Sequence, residues 1–350
     1  MEKQWIRMDV PLSEGLREVL QQRAYDKLFV LTDENTEMDC LPRLRQAGLP
    51  EEAQVMTIDA GDDNKDVCAL SEVWMQLSRG GATRHSLLVN LGGGMVTDLG
   101  GFAAATFKRG IRCINIPTTL LAMVDAAVGG KTGINFNGLK NEVGVFAPAA
   151  AVLIDTNFLR TLDDENVLSG YAEMLKHGLI STRAQWAELL TADPLHVDYA
   201  RMQALVARSV AIKEDVVAQD PYEKGLRKAL NLGHTVGHAF ESLALHRQQP
   251  VLHGYAVAWG LVCELYLSAC QTGFPTEALR QTVSFVREYY GTFRFDCRDY
   301  DWLYECMTHD KKNTSGVIRF TLLEDVGRVR IDQTATKEAI FEMLDFYREG

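Results

Sequence analysis

The sequence predicts an α/β N-terminal domain with a parallel, doubly wound sheet, followed by a mainly α-helical C-terminal domain. Five short apolar runs in the first half have the length of buried strands, and helical patterns separate the first few of them. After about residue 160 the apolar residues recur at helical spacing instead. A chain of 350 residues also has the usual length of about two domains. We therefore expect domains at 1–160 and 161–350.

The elements can be placed in order along the chain. The predicted strands cover residues 28–31, 53–58, 86–90, 112–116 and 151–155, with helical patterns at 38–47 and 65–79. A parallel sheet binds its ligand beyond the carboxyl ends of the strands. The helices predicted in the C-terminal domain cover 163–180, 196–219, 229–245 and 254–270. Residues 316–331 predict a late hairpin that turns near Gly327.

Composition excludes several classes of function. With 36 basic and 47 acidic residues the net charge is −11, which argues against nucleic-acid binding and against an anionic membrane surface. Seven cysteines without a CxxC pair disfavour a disulfide framework. The N-terminus lacks the apolar segment of a signal peptide, and the longest apolar stretch, 255–270, carries Glu264 and is too short to span a bilayer. We expect a cytoplasmic protein with neither a membrane nor a nucleic-acid partner.

The run LGGGMVTDLGG (91–101) follows a predicted strand and begins a helical pattern. Glycines allow close approach to a pyrophosphate, and a helix N-terminus offers free N–H groups. Thr97 stands where the last glycine of G-x-G-x-x-G would be, so a ligand-free turn remains an equal alternative. Asp33, directly after the first strand, is suited to hold a ribose diol and to repel a 2′-phosphate, which favours NAD over NADP. An ordinary loop acid is the alternative reading of Asp33.

A second group of residues has the chemistry of a metal site. Glu173 and Lys176 share one helix face, and His234 and His238 share another, since they are three and four residues apart. His253 lies just before the next helix. One carboxylate with imidazoles from separate helices suits Zn²⁺ or a similar divalent ion with one position open for substrate. Two or three ordinary core histidines are the alternative.

Cations and amides form the third group. Several occur in segments rich in glycine and apolar residues, such as VGGKTGIN and GLKNEVG, where a solvated surface charge is a less natural explanation. A cluster of them would neutralise a phosphate and a carboxylate together. The group comprises Lys108, Arg109, Lys131, Lys140, Asn141, Lys176, Lys213, Arg227, Asn231, Lys311 and Lys312.

Four long motifs resemble the 3-dehydroquinate synthase family, part of the sugar phosphate cyclases. They are residues 117–146, GYAEMLKHG (170–178), LNLGHTVGHAFE (230–241) and HGYAVAWG (253–260), and the resemblance extends from LTDENT to DKKN. It implies a Rossmann-like dinucleotide-binding domain, a helical domain, an active site in the interdomain cleft and a homodimer. It also implies two cofactors, NAD and one divalent metal ion, Zn²⁺ or Co²⁺.

The resemblance also implies roles for individual residues. The metal ligands would be Glu173, His234 and His253. The NAD site would be lined by Asp33, Asn35, Asp62, Lys65, Gly93, Gly94, Asp98, Thr118, Thr119, Lys140, Phe158 and Thr161. Substrate binding and catalysis would fall to Arg109, Asp125, Lys131, Asn141, Lys176, Lys213, Arg227, Asn231, His238 and one of Lys311 and Lys312. One departure is visible, because Asp62 stands where the family usually has Glu, and we expect the chemistry not to depend on it.

The family's substrate is a small anionic sugar-acid phosphate, 3-deoxy-D-arabino-heptulosonate 7-phosphate. The resemblance implies transient oxidation by NAD, elimination of phosphate, re-reduction and an intramolecular aldol closure, so the net reaction is that of a lyase in aromatic amino acid biosynthesis. His238 would move protons and Asp125 would orient a hydroxyl or a water. Either the substrate phosphate or a side chain would be the elimination base.

Three alternatives compete with this interpretation. A metal-dependent polyol or glycerol-type dehydrogenase shares the two-domain plan and the GGGxxxD run, but VGGKTGIN and GLKNEVG argue against it. A sister sugar phosphate cyclase is disfavoured because Asn141, Asn231, His238 and DKKN keep the dehydroquinate-type pattern. A non-catalytic protein on the same fold would have lost ligands and cations that this sequence retains.

Overall fold

The computed structural model describes residues 4–8, 10–137, 139–309 and 317–349. The chain divides into two compact units, Met1–Asp163 and Asp164–Gly350. The division falls after residue 163, whereas the sequence led us to expect it after 160. The cofactor and metal roles assigned to the two domains remain predictions.

A six-stranded parallel sheet is the centre of the first unit, in the order β1-β8-β5-β4-β2-β3. Its inner strands β2 and β4 are buried along their whole length, as expected for a parallel sheet covered on both faces. All five strands predicted from the sequence are confirmed. The strands of this unit are β1 (Trp5–Arg7), β2 (Leu28–Asp33), β3 (Gln54–Ile58), β4 (Leu87–Gly92), β5 (Arg112–Pro117), β6 (Lys131–Phe136), β7 (Leu139–Phe146) and β8 (Ala151–Leu153).

Helices connect these strands. They are α1 (Leu12–Gln22), α2 (Glu34–Asp39), α3 (Leu41–Gln46), α4 (Val67–Arg79) and α5 (Gly94–Thr106). The helical pattern predicted around 38–47 is confirmed as the end of α2 and the whole of α3, with a break at Cys40 that the pattern did not predict. Asp33 caps α2, and Pro42, which has no N–H to donate, stands in the first turn of α3.

The strands β6 and β7 form a separate antiparallel hairpin that we did not predict. Glycines and polar residues interrupt its apolar alternation, and every residue described in β7 is exposed. The hairpin is held to the first unit by a hydrogen bond of 2.7 Å from the Asn135 amide to the Lys65 carbonyl. It therefore brings Asn141 into contact with Lys65 and brings Lys140 to Asp62, which also pairs with Lys65.

The second unit is mainly helical. Its central helix, α10, is apolar nearly all round and mostly buried, which is typical of a core helix. The elements are α6 (Asp164–Ser181), α7 (Arg183–Thr191), α8 (Tyr199–Gln219), α9 (His234–His246), α10 (His253–Gln271), α11 (Thr276–Tyr290), α12 (Tyr300–Thr308), β9 (Phe320–Asp325), β10 (Arg328–Gln333) and α13 (Lys337–Glu349). The predicted late hairpin is confirmed as β9 and β10, and Gly327 in its turn has a φ of 81°.

The helix predicted at 229–245 is wrong in its first turn. A 3₁₀ helix, Leu226–Asn231, comes first, and Gly233 then takes a left-handed φ of 80° before α9 begins. A β-carbon on Gly260 of α10 would lie 1.9 Å from the Gly233 carbonyl oxygen, and one on Gly237 would lie 2.9 Å from the Ala256 carbonyl oxygen. The backbones of α9 and α10 thus touch directly, which only glycine permits.

Within the described part of the chain, no helix combines the length and the apolar composition that crossing a membrane requires.

Candidate functional site

Three candidate NAD-binding segments of the first unit lie at the carboxyl edge of its sheet. Asp33 ends β2, Gly93 and Gly94 follow β4, and Thr118 follows β5. These three strands are neighbours and parallel, and the Thr118 amide donates to the Gly92 carbonyl over 3.0 Å. Thr119 also packs here, since a β-carbon on Gly93 would lie 3.0 Å from its Cγ2. This is the edge where parallel sheets bind their ligands.

The Asp33 carboxylate has a local structural function. Its Oδ1 accepts from the Thr36 amide at 2.8 Å, and the Asp33 amide donates to the Thr36 hydroxyl at 3.0 Å. This reciprocal capping box fixes the turn after β2 and leaves Asn35 exposed on the first turn of α2. The carboxylate is therefore held in one orientation at the sheet edge.

Lys65 joins several candidate residues of the first unit. Its ammonium group is almost fully buried and lies 3.1 Å from Asp98, 2.7 Å from the Asn141 side-chain oxygen and 3.2 Å from Asp62. Burial raises the pKa of the Asp98 carboxyl, and Lys65 opposes that rise. Burial lowers the pKa of Lys65, but Asp98 and Asp62 outweigh it and the net shift is upward. The NAD candidates Asp98 and Asp62 and the substrate candidate Asn141 thus share one cation, Lys65.

Asp62, the departure from the family pattern, bridges two lysines. Its carboxylate oxygens lie 3.2 Å from Lys65 and 3.2 Å from Lys140. Burial would raise the pKa of Asp62, but the two lysines outweigh it and lower that pKa. The shorter side chain therefore already reaches two candidate cations of the NAD site.

Phe158 and Thr161 lie in the 3₁₀ helix Thr156–Thr161. The Phe158 ring is buried beneath the Arg43 guanidinium, 5.7 Å from the ring centroid. The Thr161 hydroxyl donates to the Phe158 carbonyl at 2.8 Å and lies 3.9 Å from the Cys40 sulfur. These contacts place the segment against the helices that follow β2.

The substrate candidates of the first unit do not all lie together. Asp125 is close enough to Asp98 to contribute to the rise of its pKa, and Lys131 is exposed at the start of β6. Arg109 lies at the amino edge of the sheet. The helix α5 runs from the carboxyl edge back to the amino edge, and Arg109 follows this helix and precedes β5. There Arg109 and Lys108, both with positive φ, line a surface cavity of about 490 Å³ with Thr83, Arg84 and His85.

In the second unit, Glu173, His234 and His253 come together from three helices. Oε1 of Glu173 lies 3.4 Å from Nε2 of His234 and 3.5 Å from Nε2 of His253. The Glu173 side chain is fully buried, and its other oxygen pairs with Lys176. Burial would raise the pKa of Glu173, but Lys176 and His234 hold it well below its usual range. The carboxylate is therefore charged.

These three residues fit a divalent metal ion. Their ligand atoms lie within 4.8 Å of one another, and Oε1 of Glu173 is buried with no hydrogen-bond partner among the described residues. Ligands at about 2.1 Å from a tetrahedral Zn²⁺ are separated by roughly 3.4 Å. The distances from Oε1 of Glu173 to Nε2 of His234 and of His253, 3.4 and 3.5 Å, match this separation. A buried acceptor that faces two imidazole nitrogens is the donor set such an ion requires.

Neighbouring groups orient both imidazoles. Nδ1 of His234 lies 3.1 Å from the Leu232 carbonyl, and Nδ1 of His253 lies 3.3 Å from Oε2 of the buried Glu241. Such partners fix the tautomer that points the other ring nitrogen at a metal. His238 is close to both rings, with centroids 5.4 Å and 5.9 Å away, and could with Glu241 and His253 form a second ligand set.

Lys176 lies on α6, and Lys213, Arg227 and Asn231 lie on two elements that pack against α6. Lys176, Lys213 and Arg227 are all buried, which is costly for a cation unless an anion or a hydrogen-bond acceptor meets it. Arg227 donates to the Pro221 carbonyl at 2.7 Å, and the Asn231 amide donates to Glu223 at 2.9 Å. Lys311 and Lys312 lie outside the described residues.

Sequence reasoning missed two carboxylates, Glu241 and Glu264. Glu264 is fully buried in α10 and accepts backbone N–H groups at the start of α9. The sequence did contain a signal for Glu264, because it is an acidic residue in an otherwise apolar helical stretch. We used this signal only to argue against a membrane span. An acid there is retained only if the fold satisfies its oxygens.

Comparison with known proteins covers both units. The model of the 3-dehydroquinate synthase N-terminal family matches residues 55–169, and that of the 3-dehydroquinate synthase C-terminal family matches residues 170–313. A curated 3-dehydroquinate synthase from Parabacteroides distasonis is 57% identical over 350 residues, which make up 100% of this chain and 99% of that protein.

Two solved structures have the same fold. A 2-epi-5-epi-valiolone synthase from Streptomyces hygroscopicus with bound NAD⁺ and Zn²⁺ has a TM-score of 0.86 at 23% identity, over 99% of this chain and 97% of that one. A 2-deoxy-scyllo-inosose synthase with carbaglucose-6-phosphate, NAD⁺ and Co²⁺ has a TM-score of 0.85 at 22% identity, over 99% and 96%. At these identities the likeness establishes the fold, whereas the two family models and the close full-length relative show that the chain belongs to the 3-dehydroquinate synthase family.

Proposed function

We propose that this protein is a phosphate-eliminating carbon–oxygen lyase that converts 3-deoxy-D-arabino-heptulosonate 7-phosphate into 3-dehydroquinate and phosphate. The observation that carries this proposal is the 57% identity, over the whole chain, to a curated 3-dehydroquinate synthase. The reaction belongs to the shikimate pathway, and we place the protein in the cytoplasm.

The proposal includes two bound groups. When present, NAD would accept and return a hydride, and a divalent ion such as Zn²⁺ or Co²⁺ would act as a Lewis acid on substrate oxygens. Glu173, His234 and His253 would hold the ion, and their spacing supports that role. The carboxyl-edge residues around Asp33 and Gly93 would hold the dinucleotide, with the N-terminus of α5 beside the pyrophosphate.

The substrate carries at least two negative charges, and buried cationic side chains are suited to bind it. Lys176, Lys213 and Arg227 of the second unit would bind its anionic groups, together with Lys131 of the first. A buried guanidinium binds phosphate or carboxylate in a fixed orientation and loses little side-chain entropy on binding. These residues would hold the substrate so that its own conformation favours phosphate loss and ring closure.

Proton transfer would fall to His238, with Asp125 orienting a hydroxyl or a water. An imidazole has two ring nitrogens, of which one can accept and the other can donate a proton. The position of His238 beside the rings of His234 and His253 supports this assignment.

A phosphate-release assay tests the proposal. The metal-stripped protein is supplied with the heptulosonate phosphate, NAD⁺, and Zn²⁺ or Co²⁺. We expect phosphate release that requires both cofactors, without net accumulation of NADH. Accumulation of NADH with a polyol, and no release of phosphate, would instead favour the dehydrogenase alternative, which the close relative already disfavours.

We also propose that the protein is a homodimer. Arg109 supports this, because it lies at the amino edge of its own sheet while the NAD candidates lie at the carboxyl edge. The 13 residues of α5 separate the two edges by about 20 Å, at 1.5 Å per residue. A substrate role for Arg109 therefore requires a second copy of the chain.

Subunit mixing tests this assembly. Arg109→Ala and Lys213→Ala would each be inactive alone, and a mixture that exchanges subunits would regain part of the activity. Light scattering after size exclusion would give the mass of the assembly. A monomer by light scattering, or an inactive mixture of exchanged dimers, would overturn the role of Arg109.

A further inference from the structure

We infer that Glu264 is a positioning residue for His234, an inference that rests on the metal site proposed above. Glu264 lies on α10, its side chain is fully buried, and no sequence motif that we recognised includes it. Its carboxylate accepts hydrogen bonds from the backbone of the turn that carries His234, one of the three proposed ligands.

The carboxylate of Glu264 caps the start of α9 from a different helix. Oε2 accepts from the Gly233 amide at 2.7 Å, and Oε1 accepts from the amides of Thr235 and Val236 at 2.9 and 3.2 Å. The first N–H groups of a helix have no partner within the helix, and Gly233 has no side chain to cap them. Glu264 therefore supplies the cap that the local sequence lacks.

The capped turn sets the orientation of the His234 ring. His234 is the first residue of α9, between the amides of Gly233 and Thr235 that Glu264 holds. Nδ1 of the ring meets the Leu232 carbonyl in the same turn at 3.1 Å, so Nε2 faces Oε1 of Glu173 at 3.4 Å. A rotation of this turn would move Nε2 away from the ligand position.

A carboxylate is the group best matched to this position. It offers two acceptor oxygens to the three amides, and its charge interacts favourably with the positive end of the helix dipole. Glutamine would present one oxygen and one NH₂ group, and the NH₂ group would face a backbone N–H. The cap would then lose at least one bond and its charge without a change of size.

Close backbone packing holds Glu264 in reach of the turn. Gly260, four residues earlier on α10, approaches the Gly233 carbonyl so closely that a β-carbon would lie 1.9 Å from it. The Ser268 hydroxyl donates to the Glu264 carbonyl at 2.7 Å on the same helix. The same helix begins with His253, so α10 would supply one ligand directly and orient a second.

The test measures metal binding rather than activity. Zn²⁺ affinity is determined by competition with a chromophoric chelator for the wild type, Glu264→Gln and the control Asp66→Asn. Asp66 is also a capping carboxylate, the N-cap residue of α4, which accepts from the amides of Cys68 and Ala69 and lies in the first unit. We expect Zn²⁺ binding of Glu264→Gln to weaken by about 10- to 100-fold, the range for residues that orient metal ligands.

Two readouts separate positioning from a general loss of structure. The visible spectrum of the Co²⁺-loaded protein reports ligand geometry, and we expect it to change in Glu264→Gln and not in Asp66→Asn. The NAD affinity of both variants should stay within about twofold of the wild type, which corresponds to a change in binding free energy of less than RT ln 2. Glu264→Asp, which keeps the charge but withdraws it by one methylene, should weaken Zn²⁺ binding in the same direction and provides the measurement if the glutamine variant does not fold.

The outcomes distinguish this inference from the proposed metal site. If His253→Ala binds Zn²⁺ as tightly as the wild type, the proposed site is wrong and this inference fails with it. If His253→Ala loses Zn²⁺ while Glu264→Gln and Glu264→Asp bind it normally with an unchanged Co²⁺ spectrum, only the role of Glu264 is overturned.

Discussion

Nδ1 of His253 lies 3.3 Å from Oε2 of Glu241, while Nε2 of the same ring lies 3.5 Å from Oε1 of Glu173. The imidazole is thus held between two buried carboxylates, one on each side. These carboxylates outweigh burial and raise the pKa of His253 to about 10. The arrangement resembles the carboxylate–histidine pairs that orient metal ligands.

Glu241→Gln should weaken metal binding while leaving the three proposed ligands in place. Glutamine still accepts a hydrogen bond from Nδ1 but loses the charge that raises ligand basicity, so we expect Zn²⁺ affinity to fall by about tenfold or more. Chelator competition measures it. The control is Glu277→Gln, an exposed acid on α11. Unchanged affinity in Glu241→Gln would mean that the carboxylate does not orient His253.

His253→Ala should abolish metal binding and activity without unfolding the protein. The side chain is 29% exposed, so its truncation costs little core packing, and we expect the Tm to fall by no more than about 5 °C. Elemental analysis, thermal melting and the phosphate-release assay check the three parts separately. Full activity with the metal removed would refute the ligand assignment.

Lys131→Ala should weaken substrate binding far more than NAD binding. Lys131 is exposed at the start of β6, and loss of one charge-assisted hydrogen bond corresponds to about tenfold or more in KM for the phosphate substrate. The NAD affinity should stay within about twofold. Arg17→Ala, an exposed cation on α1, is the matched control. Equal losses of both affinities would remove Lys131 from the substrate site.

Asp62→Glu should have little effect on NAD affinity. Asp62 already reaches Lys65 and Lys140 at 3.2 Å, and part-exposed ion pairs contribute about 0–1 kcal/mol. We therefore expect the NAD dissociation constant, measured by fluorescence titration, to change by less than about threefold. A larger gain in affinity would show that the family's longer side chain makes a contact that Asp62 does not.

Lys65→Met, unlike Asp62→Glu, should lower NAD affinity. Removal of the ammonium group leaves Asp98 buried without its cation, which typically costs about 3–5 kcal/mol. We expect a lower Tm and a loss of NAD affinity of at least about tenfold, since Asp98, Asn141 and Asp62 all lose one partner. Normal NAD binding by a folded variant would exclude the Lys65 cluster from the dinucleotide site.

Local periodicity predicted much of the fold. The buried strands and the long helices α8 and α10 have strong patterns, and the structure contains them. The hairpin of β6 and β7 was missed because glycines and polar residues interrupt the apolar alternation of its strands, and β7 buries none of its residues. The pattern around 38–47 did not reveal the start of α2 at Glu34 or the break before α3, because a capping aspartate and a proline, which periodicity does not consider, decide where the two helices begin.

The candidate site was predictable only in part. Residue chemistry and spacing pointed to Glu173, His234, His238 and His253, and the resemblance selected the first, second and fourth of them as ligands. The structure brings these three within 4.8 Å of one another, although their metal role stays a prediction. Glu264 was missed because its partners are 28 to 31 residues away and are backbone amides, which have no sequence signature. Arg109 was grouped with residues from which the fold separates it.

The glycine contacts between α9 and α10 have a consequence for the choice of cation. No side chain lies at Gly233, Gly237 or Gly260 whose rotamer could change, and protein interiors are hardly compressible. His234 on α9 and His253 on α10 are therefore attached to one stiff body. Ions of unequal radius must be accommodated by the side-chain torsions of the ligands, since the helices themselves have no room to adjust.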